Sequence, residues 1–274
     1  MAGFFASDGG AGIGLVVFLN AGDPPLPELE QIVLMLDAAR VDCLELAVPF
    51  PNSPTDGPVI RRSAQRALSA GVDADAVLAF VERIRPRLTH LKIALLADWS
   101  HTVKKVPLEG FVQRVHDAGA DALLVHGLPP RVRPRYYEIA ERVGQPVVTT
   151  CYATSPPAVL DEAGRHGSAY VYLAAQYAKT GSSAPDYRSL APVLDALHER
   201  TQTPIAVGFG VKDASHVEAL REVGADAAII GSACVACVER AGAEGRDPVD
   251  EIAGFLHALG LRAPLARDCA TQDP

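Results

Sequence analysis

The sequence predicts a single-domain (β/α)8 TIM barrel, and three observations carry that expectation. Short apolar, β-branched runs alternate with longer helical patterns along the whole chain. Each run is apolar almost throughout, as expected of parallel strands covered on both faces. The length, 274 residues, suits one such barrel. A doubly wound open sheet is the competing arrangement, and it usually carries a glycine-rich turn after its first strand. Here that turn reads NAGDPPLPE, and the glycine-rich turns come late.

GLVVFLN (14–20) comes first and leads into LPELEQIVLMLDAAR, whose apolar residues recur at helical spacing. DCLELAV (42–48) runs into a proline-rich loop and then RRSAQRALSAG. LKIALLA (91–97) precedes LEGFVQRVHDAGA, and DALLVHG (121–127) precedes RYYEIAERVG. QPVVTT (145–150) is the fifth strand, and AYVYLAA (169–175), the sixth, is followed by YRSLAPVLDALHER. PIAVGFG (204–210) leads to DASHVEALREVGA, and DAAIIGS (226–232) closes the ring. Gly71, Gly119, Gly144 and Gly224 stand where helices should stop, because glycine tolerates the left-handed conformation that ends them. No linker or low-complexity tract divides the chain, so residues 1–274 read as one domain with a glycine-rich segment at 1–14 and a flexible tail at 261–274.

Composition excludes several classes of function. The formal charge is −8 and the Lys and Arg residues are scattered, which argues against a nucleic-acid surface. No apolar run approaches the roughly 20 residues that span a bilayer, and the N-terminus does not read as a signal peptide. Five cysteines, an odd number, fit reduced cytosolic thiols better than a disulfide framework. Cys234 and Cys237 form a lone C-x-x-C that reads as apolar positions on a helix, and the histidines lack metal-ligand spacing. The expectation is a cytoplasmic protein without a metal site.

In a barrel of this kind chemistry sits at the C-terminal ends of the strands. Strand alternation sends Leu44 and Leu46 one way and Glu45 the other. With the leucines facing the helices, Glu45 faces the barrel axis. Desolvation there raises a carboxyl pKa and fits it for proton transfer near neutral pH. Asp56 lies on the following loop, which can bend over the barrel mouth. Across the barrel, KTGSSAP (179–185), GFGVKDAS (208–215) and GSACV (231–235) offer backbone N–H groups and a helix N-terminus to an anion. Gly181, Gly210 and Gly231 permit close approach of a phosphate, and Ser232 adds a hydroxyl. The bland alternatives are a structural Glu45, an Asp56 that caps the next helix, and ordinary strand-to-helix turns.

ELAVPFPNSPTDGPVI, LNAGDP (19–24), GFGV and IIGSACV together resemble the tryptophan synthase α subunit and its stand-alone relatives, the indole-3-glycerol-phosphate lyases. The resemblance covers almost the whole chain in order, and its E-x-x-x-P-F…D-G-P block is specific. It implies a carbon–carbon lyase that cleaves indole-3-glycerol phosphate to indole and glyceraldehyde 3-phosphate. It places the family's catalytic glutamate on Glu45 and its indole-binding aspartate on Asp56. It also implies substrate contacts at Phe18, Tyr172 and Thr180, and phosphate contacts at Gly181, Gly210, Gly231 and Ser232. Trp99, the sole tryptophan, is a candidate to stack on an indole, with loop packing as the alternative.

Departures from the family pattern gather at the barrel mouth. Asn52 replaces an aspartate of the catalytic loop. ADWSHTV, with Asp98, Trp99 and His101, replaces a tyrosine-asparagine segment, and an expected aspartate is Gly127, preceded by His126. Gln176 begins Q-x-A-x-T-G in place of R-x-G-x-T-G. Asp98 and His126 could pair as an additional acid and base, or be structural. The changes point to a stand-alone or pathway-specific lyase with a weakened or lost β-like partner. A synthase α subunit that needs or activates a β subunit, and a barrel lyase for another phosphorylated substrate, remain the alternatives.

Overall fold

Apolar runs without alternation cannot leave one face in water, so they pair as a parallel sheet with helices outside and side chains inside. The computed structural model describes residues 4, 5, 12–174, 186–208 and 210–261. The chain runs β1 (Gly14–Asn20), α1 (Leu26–Ala38), β2 (Cys43–Ala47), α2 (Pro58–Ser69), α3 (Ala74–Ile84), β3 (Lys92–Asp98) and α4 (Leu108–Asp117). It continues through β4 (Ala122–His126), α5 (Arg133–Val143), β5 (Val148–Tyr152), α6 (Pro157–His166) and β6 (Tyr170–Ala174). The last elements are α7 (Ala191–His198), β7 (Ile205–Gly208), α8 (Ala214–Glu222), β8 (Ala227–Ile230), α9 (Ser232–Glu244) and α10 (Pro248–Ala258).

The eight strands form one parallel sheet in the order β4-β3-β2-β1-β8-β7-β6-β5. Curling that sheet brings β4 and β5 together, where one bridge, Leu123 to Val147, joins them. The result is the expected TIM barrel. The fifth strand alone departs clearly from its expected bounds: it spans 148–152 instead of 145–150. Pro146 has no N–H to give a ladder, whereas Cys151 and Tyr152 pair with Leu173 and Ala174. Gly71, Gly119, Gly144 and Gly224 all have positive φ just past helices, as their spacing predicts.

Two shells make the core. The outer shell packs strand residues such as Leu44, Leu46, Ile93 and Leu95 against the helices. The inner shell takes side chains from every strand, among them one layer of Val16, Cys43, Ala94, Ala122, Val148, Tyr170, Ala206 and Ala227. Four of these are alanines, and their small volume leaves room for Tyr170 to cross the axis. Phe4 and Phe5 close the N-terminal end, with ring centroids 5.4 and 5.3 Å from Tyr170.

Candidate active site

Alternation on β2 sends Cys43 and Glu45 inward, as the sequence predicts. Glu45 is only 2% exposed, a deeper burial than the partial desolvation expected. β6 lies diametrically across the ring from β2, so a long side chain on β6 reaches it through the axis. The Tyr170 hydroxyl does so, donating to Glu45 Oε1 at 2.5 Å. Burial pushes the Glu45 carboxyl up from 4.5 to about 7, and the tyrosine hydrogen bond, which favours the anion, pulls it partly back. A carboxyl poised there exchanges protons readily at neutral pH. Sequence reasoning named Tyr172 on this strand and missed Tyr170. The signal was available, since residues two apart on one strand share a face.

Tyr172 also points inward. Its hydroxyl lies against Gly208, where an added Cβ would sit 2.2 Å from it, so glycine at this position makes space for the ring. Burial first, then the charges of Glu45 and Asp56, push the Tyr172 phenol well above its ordinary value. Both carboxylates therefore act on one inward tyrosine.

The loop after β2 is shaped by its own residues. Asn52 adopts φ 56°, a left-handed conformation that asparagine tolerates better than most residues. Ser53 is buried, and its hydroxyl lies 3.3 Å from that of Thr55. Phe50 stacks against both His101 and His126, at centroid separations of 5.8 and 5.9 Å. Gly57 and Pro58 then start α2, with Pro58 at a position where no N–H is needed. Asp56 stays free of the capping role and lines a small cavity of about 40 Å³ with Phe18, Phe50, Leu96 and His126.

Helix α2, just beyond the loop, is firmly tied down. Asn20 at the end of β1 donates to Ile60 O at 3.2 Å and Ser63 Oγ at 3.0 Å. Arg66 of α2 grips the buried Asp23 through two hydrogen bonds of 2.8 and 2.7 Å and reaches Glu239 of α9 at 3.0 Å. Arg62 holds the same Glu239 with two bonds of 2.7 Å. Helix α2, which carries the Asp56 loop, is thereby fixed to α9, the helix that the GSACV turn opens.

At that turn, Gly231 is the N-cap of α9 and no side chain caps the helix. The neighbouring α8 differs, because Asp213 already accepts from Ser215 N and His216 N. First-turn N–H groups without a side-chain cap thus remain at α9, beside Ser232. An added Cβ on Gly231 would meet Phe18 Cβ at 3.9 Å, which sets the turn next to the cavity. Gly210 has φ 63° on the loop after β7. Thr180, Gly181, Gln176 and Cys269 lie outside the described residues.

At the mouth, Asp98 and Trp99 make structural contacts. Asp98 and His126 are neighbours in register on β3 and β4, yet Asp98 accepts from His101, whose Nδ1 and backbone N each lie 2.7 Å from Oδ1. Trp99 packs against the outer core, and its backbone N–H donates to His126 O at 2.8 Å. Cys234 and Cys237 are buried free thiols on α9, in keeping with their reading as apolar helix positions. Among the described residues no cluster of three His, Cys, Asp or Glu could hold a metal ion, and no helix is long and apolar enough to cross a membrane.

Fold and site together define a TIM-barrel enzyme with a buried carboxyl in its axis, below an aromatic-lined cavity. The family model for the tryptophan synthase alpha chain matches residues 7–259, and the chain belongs to that family. Its relatives include the tryptophan synthase alpha chain of Burkholderia pseudomallei (strain K96243), 33% identical over 246 residues that make up 90% of this chain and 89% of that one. The alpha chain of Burkholderia cenocepacia (strain HI2424) is 34% identical over 232 residues, 85% of each. Among solved structures, a mutant tryptophan synthase alpha-subunit from Pyrococcus furiosus superimposes with a TM-score of 0.80 at 27% identity, covering 90% of this chain and 97% of that one. A tryptophan synthase complex from the same organism gives 0.79 at 26% identity, again over 90% and 97%. The family is one of carbon–carbon lyases that cleave indole-3-glycerol phosphate to indole and glyceraldehyde 3-phosphate, and its alpha subunits work with a beta subunit.

Proposed function

We propose that this chain cleaves indole-3-glycerol phosphate by a retro-aldol reaction in which Glu45 moves the protons and Asp56 holds the indole nitrogen. The observation that carries the assignment is the buried Glu45, raised to about 7 and backed by Tyr170. Protonated Glu45 gives its proton to indole C3, and the ring becomes an indolenine cation. The Asp56 carboxylate accepts the indole N–H and offsets that positive charge. Glu45, now an anion, takes the proton of the adjacent glycerol hydroxyl. The C–C bond breaks, its electrons return to the ring, and indole and the aldehyde leave with Glu45 protonated again. Each positioned proton transfer contributes roughly 10²- to 10⁴-fold.

Phe18 and Tyr172 flank the ring in this reading, and the uncapped start of α9 at Gly231 and Ser232 takes the phosphate, with Gly210 and Gly181 completing the cradle. Thr180 joins the substrate contacts. Holding both ends of the substrate supplies orientation. The reaction needs no metal or organic cofactor.

We further infer a self-sufficient enzyme, acting in the cytoplasm without requiring a β-like subunit. Its catalytic loop is braced by contacts within the chain: Phe50 stacked with two histidines, Ser53 on Thr55, and Asn52 in its left-handed turn. The test mixes purified protein alone with indole-3-glycerol phosphate and follows indole release, with Glu45→Gln and Asp56→Asn as controls. Release lost in both variants supports the assignment. Release that appears only after a β subunit is added would return the chain to the dependent-subunit class. No release in either case would mean a different phosphorylated substrate.

A further inference from the structure

The barrel wall is not equally closed all round. Every neighbouring strand pair is joined by a run of paired residues except β4 and β5, which share the bridge Leu123 to Val147 and the bond from Leu123 N to Pro146 O at 2.9 Å. Both contacts lie at the N-terminal end of the seam, so the C-terminal end stands open. Thr150 shows the consequence. It pairs in register with inward-facing Tyr172 and occupies an inward position itself, yet it is exposed.

A cavity of about 320 Å³ occupies the opening. Its walls include His126, Val148 and Thr150 from inward positions, and Val125 and Thr149 from outward ones. Adjacent residues of one strand point to opposite faces, so a cavity bounded by both sets passes through the wall. It also shares Thr55 and His126 with the Asp56 cavity, so the two spaces adjoin. The side chains of Thr150, Tyr152 and His126 make no hydrogen bond among the described residues, and Glu162 and Tyr137 stand on the far wall. A ligand group without hydrogen-bonding capacity would strip water from these groups and return nothing.

Resting on the lyase reading, we propose that the seam is a side pocket of the active site that receives a polar substituent on the benzo ring of the indole. His126 stands at its entrance. The substrate class is then indole-3-glycerol phosphate carrying a hydroxyl or carboxamide on that ring, and the seam sets the preference.

The reverse reaction tests this with available compounds. Indole C3 attacks the aldehyde carbon of glyceraldehyde 3-phosphate, the C3 proton leaves through the enzyme, and the carbonyl oxygen gains a proton. Purified protein is offered indole, and the hydroxyindoles and indole carboxamides substituted at each benzo position. The wild type is expected to condense at least one polar-substituted indole as efficiently as indole, within about tenfold in kcat/KM. Thr150→Phe, which fills the seam from an exposed position, lowers that value by about tenfold or more relative to the value for indole. Thr150→Val keeps the shape, removes the hydroxyl and gives a smaller loss confined to the substituted indole. The proposal is overturned if all substituted indoles lag indole by about a hundredfold in the wild type, or if the Thr150 variants slow indole equally. Failure to condense indole at all would remove the lyase reading, and the side pocket with it.

Discussion

The β1–β2 side of the barrel and the β4–β5 side are built to opposite specifications. On the first side five residues of each strand pair in unbroken register, from Val16 with Cys43 to Asn20 with Ala47. Beyond them Asn20, Asp23, Arg66 and Glu239 tie the loop, α2 and α9 into one body. On the second side a single bridge closes the wall, and an open cleft takes the place of a ladder. Rigid placement serves the carboxylates, because proton transfer tolerates little displacement. An open wall serves the variable part of a substrate, because loose packing there costs the chemistry nothing.

The sharpest break in that comparison is Glu45→Gln. Activity should fall by roughly 10²- to 10⁴-fold, measured as indole release, since a positioned acid and base is lost. Asp56→Asn should lose less, because it removes charge compensation and leaves the proton donor in place.

Glu45→Gln should also make the protein more stable, in a pH-dependent way. Glu45 is raised from 4.5 to about 7 in the fold, so the folded chain keeps a proton that the unfolded chain releases between those values. Its contribution is fully present below pH 4.5, declines through that window and is lost above pH 7. The rise corresponds to roughly 3 kcal/mol. Denaturant titration should therefore show wild type weakening relative to Glu45→Gln from pH 4.5 to 7, and a constant gap above. A gap that does not vary with pH would mean that Glu45 is ionised in the fold throughout.

Arg66→Ala tests the ties. Asp23, with a side chain 8% exposed, would lose its bidentate partner, at a cost of roughly 2 kcal/mol once the partial exposure of Arg66 is allowed for. Indole release should fall as well, because α2 carries the Asp56 loop. Tyr170→Phe is subtler. Removing the donor that lowers the Glu45 pKa should move the limb at which kcat/KM falls with rising pH to higher pH. A purely structural Tyr170 would lower activity equally at every pH. The smallest effect belongs to the open side: Tyr137→Phe, which drops the 3.1 Å bond to Glu162, should cost about 1 kcal/mol or less and leave indole release unaltered.

Much of this was legible in the chain. Apolar runs fixed eight strands, because a strand covered on both faces needs no alternation. Leu-Glu-Leu set Glu45 inward, because strand periodicity is two. Glycines past the helices marked their ends, because positive φ suits them. The family itself could be read from the block around PFPNSPTDGP. Tyr170 escaped notice because its partner is 125 residues away and becomes a neighbour only when β6 closes opposite β2. His101 displaced His126 as the partner of Asp98 because a turn, not strand register, decided which ring lay within reach.

The amino-acid sequence by itself determined the period, the direction and the chemistry of each element, all of which depend on residues a few positions apart. Only the tertiary structure decided how deeply Glu45 is buried, which tyrosine meets it, what closes the barrel floor and where the wall stays open. Those outcomes depend on distances across the axis and on the sum of side-chain volumes around it, and no local pattern in the chain carries either quantity.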